Sequence, residues 1–220
     1  MKIHLSLRVG IIGYGARAST LWTEVVRPEN NAEVVAVWDP ATRARASARE
    51  DIPGVLVTGS LEELLRSGLD AVMVLSPDNT HAEAAMAALE AGVPVFCEKP
   101  LAITVEDADL ILATAQSTGT RLYVGHNMRH LPVVRMMRDF IRSGRIGEVK
   151  AIWCRHFVGN GGDFYFKDWH ADRAKSTGLL LQKGAHDLDV IHWLADAPTS
   201  RAVGMGGLTV YGQISDRQDR

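Results

Sequence analysis

The sequence is short of cysteine, has no run of one charge sign and contains no long apolar stretch, and each shortage removes a class of function. Its two cysteines, Cys97 and Cys154, lie far apart in no metal-ligand spacing. A disulfide scaffold and a zinc module are both excluded by that pattern, and a reduced, cytoplasmic chain is expected. Twenty-four basic against twenty-six acidic residues leave a net charge of −2, which gives no electrostatic footprint for nucleic acid or an anionic membrane. No stretch approaches the ~18 apolar residues of a membrane span. The N-terminus has no apolar segment followed by a small-residue cleavage site, and the chain contains no internal repeat, low-complexity tract or flexible linker. Small-molecule chemistry in solution is the function class that remains.

What is present is apolar residue in quantity, 46% of 220 positions, ample for a buried core. Short β-rich runs at 7–12, 33–38, 54–57, 70–75, 93–97 and 121–124 alternate with longer helical patterns, as in βαβ units with a parallel sheet. Ser60 with Glu63, and Thr80 with Glu83, match capping boxes, and Thr104 with Asp107 gives a third helix start. The pattern changes near 125, so residues 1–125 are expected to be a Rossmann, doubly wound α/β domain. Residues 126–220 then read as a second α/β domain, with helices at 131–143 and 178–195 and strands at 148–158 and near 200–211. Two strands make a marginal ribbon, so the second domain is expected to be incomplete within these residues, through truncation or for want of a partner subunit.

The segment Gly10-Ile-Ile-Gly13-Tyr-Gly15-Ala16-Arg17-Ala18 sets Gly-x-Gly-x-x-Ala at the end of the first strand. Gly13 permits the tight turn, Gly15 keeps side chain away from a diphosphate, and Ala18 lets helix pack on strand. The amides around Ala16 and Arg17, at a helix N-terminus, then face the phosphates. Asp39 ends the second strand where a carboxylate reaches the adenosine ribose, or else is simply solvated there. That carboxylate favours NAD over NADP, although Arg43 and Arg45 leave NADP possible.

Ligands in such sheets sit beyond the carboxyl ends of the strands, where this sequence has Ser76-Pro-Asp-Asn-Thr-His81 and Glu98-Lys99-Pro100. A lysine beside a nicotinamide can hydrogen-bond a substrate hydroxyl and ease its deprotonation.

The runs GIIGYGARA, SPDNTHAEAAMAALEAGVPVFCEKPLA, VGHNMRHLP and LLLQKGAHDLDVIHWL, in this order, closely resemble the glucose–fructose oxidoreductase, inositol dehydrogenase and MocA-type family over nearly the whole chain. The resemblance implies a Rossmann domain and a second α/β domain whose mainly antiparallel open sheet makes a homo-oligomer interface. It implies NAD-dependent hydride transfer at a hydroxyl or carbonyl carbon of a sugar, cyclitol or related polyol. Lys99 and His186 match the family's catalytic lysine and its acid/base histidine. Ser76, Asn79, His81, Glu98 and Asn127 fall at cofactor positions, and Arg129, Gln182 and Lys183 on the substrate side. Trp169 and His170 are placed either against substrate or as packing at its rim, and Lys183 either toward the cleft or toward solvent.

One departure stands out. Family dehydrogenases often carry Asp four residues before the histidine, where this chain has Gln182. An amide orients a hydroxyl but cannot take its proton, so a second expectation is an enzyme that retains NAD and uses transient oxidation to break a glycosidic or C–O bond. A third is a non-catalytic dinucleotide-binding subunit. The run HDLDVIH looks like a metal cluster, but His186 and His192 stand about 240° apart around a helix, so no metal is expected.

Overall fold

The computed structural model describes residues 6–157 and 165–207. The chain divides into two compact units, Met1–Gly125 and His126–Arg220. In the first, β1 (Leu7–Ile12), β2 (Ala32–Trp38), β3 (Leu56–Val57), β4 (Ala71–Val74), β5 (Val95–Glu98) and β6 (Leu122–Gly125) form one sheet in the order β3-β2-β1-β4-β5-β6. Every neighbouring pair is parallel.

The strands are apolar on both faces because helices cover both faces. Successive side chains point to opposite sides, so Ile11 joins Val34, Val37, Ala18 and Ala48 in the core under α1 (Ala16–Val25) and α2 (Thr42–Asp51). Ile12 joins Val72, Val74, Leu64, Leu89 and Ile111 under α3 (Leu61–Leu65), α4 (His81–Glu90) and α5 (Val105–Thr118). Each fully buried Leu or Ile contributes roughly 2–3 kcal/mol of transfer free energy.

The helix starts follow the local chemistry in two of three cases. The Ser60 side chain accepts from the Glu63 amide, and Thr104 from the Asp107 amide. Thr80 does not cap α4 with its side chain. A 3-10 turn over Asp78–Thr80 feeds directly into α4, so Thr80 already has helical torsions, and its hydroxyl turns instead to Ser76 Oγ and the Pro77 carbonyl.

Two features shape the carboxyl edge of the sheet. Gly13 has φ +86°, and a Cβ there would stand 2.5 Å from Ser76 Cα. The ends of β1 and β4 thus touch backbone to backbone at the point where strand order reverses. Next to it, His81 is 1% exposed, with Nδ1 2.8 Å from the Pro100 carbonyl and Nε2 2.9 Å from the Ser76 carbonyl. One imidazole thus sits between the loops that follow β4 and β5. Burial lowers its pKa below 6.5, against the opposing pull of the two carbonyls and Glu98.

The second unit contains α6 (Pro132–Arg142), α7 (Arg173–Ser176) and α8 (Leu179–Ala195). Pro132 occupies the first turn of α6, where its missing N–H costs nothing, and Asp172 caps α7 by accepting from the Ala174 amide. Arg138, 7% exposed, joins α6 to the end of α8 through Asp196 at 2.9 Å and the Trp193 ring at 5.0 Å. The strands expected at 148–158 and 200–211 are not formed among the described residues: 148–157 and 200–207 carry no strand. A strand persists only with a paired neighbour, and neither stretch meets one there. Residues 158 and 208–211, with the Gly-rich loop at 159–162, lie outside the described residues.

Gly13→Ala meets both a left-handed torsion and a backbone clash, so urea unfolding should show a loss of about 3 kcal/mol or more. A variant as stable as the parent contradicts the packing. His81 supplies a second test. Its folded pKa lies below the unfolded value, so its contribution is present above about pH 6.5 and is lost as pH falls toward the depressed value. His81→Gln should therefore flatten the dependence of the urea midpoint between about pH 7 and pH 5, and an unchanged slope removes His81 as its source.

Candidate functional site

The candidate site of the first unit is the turn from β1 into α1. Gly15 is the N-cap of α1, has no side chain to cap it, and has open space where a Cβ would be. The first-turn amides of α1 have no partner within the helix, and Gly15, Ala16 and Arg17 are exposed while Ala18 is wholly buried. No acidic residue occupies that turn. An uncapped helix start over an open glycine is an anion cradle of diphosphate kind.

Asp39 braces this turn. Its Oδ2 accepts from the Tyr14 amide at 2.8 Å and its Oδ1 from the Ala41 amide at 2.7 Å. A carboxylate accepts up to about four hydrogen bonds, so capacity remains for ribose hydroxyls. Arg45 is committed to the same turn, donating to the Asp39 and Pro40 carbonyls, whereas Arg43 is exposed. Tyr14 is buried with its hydroxyl on Asp51 at 2.9 Å, and burial together with that carboxylate pushes the phenol well above its ordinary pKa. Nothing in the spacing of Tyr14 and Asp51 marked this pair.

Glu98 and Lys99 follow β5. Glu98 is 8% exposed, with Oε1 2.7 Å from Arg17 and Oε2 accepting from the Lys99 amide at 3.0 Å. Lys99 is half-buried, and its peptide bond to Pro100 is cis. Ser76 is half-buried and Asn79 exposed. His81, expected at a cofactor position, has both ring nitrogens facing backbone carbonyls and its ring closed to solvent, so it ties two loops together.

These residues of the first unit fit a dinucleotide. The open glycine turn suits the diphosphate, Asp39 the adenosine ribose, and the β4 and β5 ends the nicotinamide side.

In the second unit the expected site residues belong to α8 and the segments around it. Gln182 and His186, four residues apart on one helical stripe, are 4% and 8% exposed. Arg129, expected on the substrate side, has its guanidinium on Asp189, with Nε on Oδ2 at 2.8 Å and Nη2 on Oδ1 at 2.5 Å. His126 stands 3.7 Å from the same carboxylate. That paired geometry makes Arg129 a brace between the 3-10 turn Asn127–His130 and α8, while Asn127 stays exposed. Asp189 was legible in principle, because it lies three residues beyond His186 and so shares its stripe.

Lys183 faces neither open alternative fully: its Nζ lies 4.6 Å from the centre of the Tyr165 ring, a cation–π contact that holds it over the 165–171 segment. In that segment Trp169 and His170 stack with centroids 3.7 Å apart, and Tyr165 meets His170 edge-on. The HDLDVIH run is dispersed: Asp187 receives His156 at 3.0 Å, Asp189 holds Arg129, and His192 meets Thr199. Among the described residues no group of His, Cys, Asp and Glu could hold a metal ion, and no helix is long and apolar enough to cross a membrane. Cys97 is buried, and its thiol is pushed far above its ordinary pKa by burial; Cys154 is exposed.

Comparison with known proteins bears on both units. Residues 7–126 match the model of an oxidoreductase family with an NAD-binding Rossmann fold, and residues 134–218 match the GFO/IDH/MocA C-terminal domain. The chain is 33% identical over 200 residues to 1,5-anhydro-D-fructose reductase of Ensifer adhaerens, covering 90% of this chain and 59% of that protein. It is 33% identical over 195 residues to an inositol 2-dehydrogenase of Gluconacetobacter diazotrophicus, covering 87% and 55%. A solved NAD-binding protein from Listeria innocua superposes with TM-score 0.69 at 28% identity, covering 87% of this chain and 55% of that one. The chain thus spans a little over half the length of these relatives. With matches to both of its units, it belongs to the GFO/IDH/MocA oxidoreductase family, and its first unit is that family's NAD-binding Rossmann domain.

Proposed function

We propose that this chain serves an NAD-dependent oxidoreductase that interconverts a hydroxyl and a carbonyl on a sugar, cyclitol or related polyol. The observation that carries the reading is the uncapped, open turn Gly13–Arg17 in the same unit as the loop-end lysine, Lys99, whose neighbour Glu98 reaches back to that turn. The names of the relatives, a reductase of anhydrofructose and dehydrogenases of inositol, support the substrate class.

When bound, the nicotinamide supplies the hydride acceptor or donor. The chain's own residues do the rest. The amides of Gly15, Ala16 and Arg17 hold the diphosphate, Asp39 takes the adenosine ribose and favours NAD, and Ser76, Asn79 and Asn127 bound the nicotinamide side. Lys99 donates a hydrogen bond to the reacting oxygen and lowers the cost of removing its proton. His186 moves that proton, its imidazole being suited to exchange near neutrality. Gln182 orients a neighbouring hydroxyl by its amide, and Lys183, Trp169 and His170 present a cation and ring faces to the substrate. NADP remains usable through the exposed Arg43. The assembly is a cytoplasmic homo-oligomer joined through the second domain.

Gln182 favours a second reading. A buried amide stands on the His186 stripe, where a carboxylate would take a proton, and this suits an enzyme that returns its NAD to the starting state while cleaving a glycosidic or C–O bond. Release of free NADH during turnover separates the two.

Lys99→Ala should leave NAD affinity within a few-fold of the parent and lower turnover by about 10²–10⁴-fold. The assay is NADH absorbance with a panel of sugars and cyclitols. A variant as active as the parent removes Lys99 from the chemistry.

A further inference from the structure

Arg17 and Glu98 hold opposite charges in an unusual place. A guanidinium in the first turn of a helix faces the positive end of the helix dipole, which disfavours it, and no acidic residue of that turn offsets it. Its offset comes from 81 residues away: Arg17 Nε and Nη2 both lie 2.7 Å from Glu98 Oε1. The Glu98 side chain is 10% exposed and that of Arg17 44%. Glu98 is not free to leave, because its other oxygen accepts from the Lys99 amide.

The carboxylate therefore stands within one arginine side chain of the amides that form the anion cradle. A diphosphate there would meet a buried negative charge, and so little water surrounds Glu98 that the repulsion would be poorly damped. We propose that Arg17 is a charge screen: it neutralises Glu98, so that the carboxylate can hold the Lys99 backbone without expelling an anionic cofactor. This rests on the dinucleotide reading above. It gives Arg17 and Glu98 a joint role as positioning residues, in place of two separate contacts to the cofactor.

The proposal fixes a pattern in a double-mutant cycle read by titration calorimetry, with NAD, ADP and uncharged adenosine as probes. Arg17→Gln should weaken NAD and ADP about tenfold or more while leaving adenosine unchanged, and Glu98→Gln should stay within a few-fold of the parent. The double variant should recover to the level of Glu98→Gln, and raising the salt should shrink the Arg17→Gln deficit. Arg17→Lys keeps the charge and should remain close to the parent, which covers the case of a glutamine variant that does not fold.

A double variant as weak as Arg17→Gln overturns the screen and makes Arg17 a direct phosphate ligand. An equal loss for adenosine also overturns it, as a sign of general damage to the turn. A folded parent that binds neither NAD nor ADP sinks the dinucleotide reading itself, a result distinct from any pattern among the variants.

Discussion

The contact on which the first unit turns is the approach of Gly13 to the backbone of Ser76. A Cβ at Gly13 would sit 2.5 Å from Ser76 Cα, so β1 and β4 can end side by side only if this residue has no side chain. The same crowding goes with the left-handed torsion at Gly13, after which the chain rises into α1 with its first amides uncovered. Asp39 then fastens the turn from the neighbouring strand by accepting the Tyr14 amide. Remove the close approach and the cradle loses its shape, because each later element takes its direction from that corner.

The fold of this unit was largely legible. All six strands stand where apolar runs of four to six residues predicted them, with bounds shifted by at most two residues, because continuous burial on both faces leaves a strong compositional trace. The Ser60 and Thr104 caps were readable since they depend on contacts three residues apart. Thr80 was not, because its role hangs on whether the preceding turn is already helical. The tie made by His81 was hidden for a related reason: its partners are carbonyls 5 and 19 residues away, and backbone oxygens leave no mark in a sequence.

The second unit shows the same division between local and distant information. The helix over 178–195 and the Gln182–His186 stripe follow from helical periodicity. The Arg129–Asp189 pair spans 60 residues, and that distance hid the brace it makes. The antiparallel sheet was an expectation of the family resemblance, and the two β-rich stretches read as strands form none among the described residues; strand pairing is the property least contained in a single segment. Side chains on 148–157 still find α8, through His156 on Asp187, so that stretch has a fixed contact without belonging to a ladder.

The two cysteines carry a practical consequence. Cys97 is sealed beneath the sheet edge with its thiol held protonated, while Cys154 is open to solvent. Burial and Asp187 push the Cys154 thiol up as well, so exposure rather than acidity directs a maleimide dye or spin label to Cys154. The molecule thus comes with a single natural handle, on the segment beside α8, from which the surroundings of the histidine helix can be watched without disturbing the Rossmann sheet.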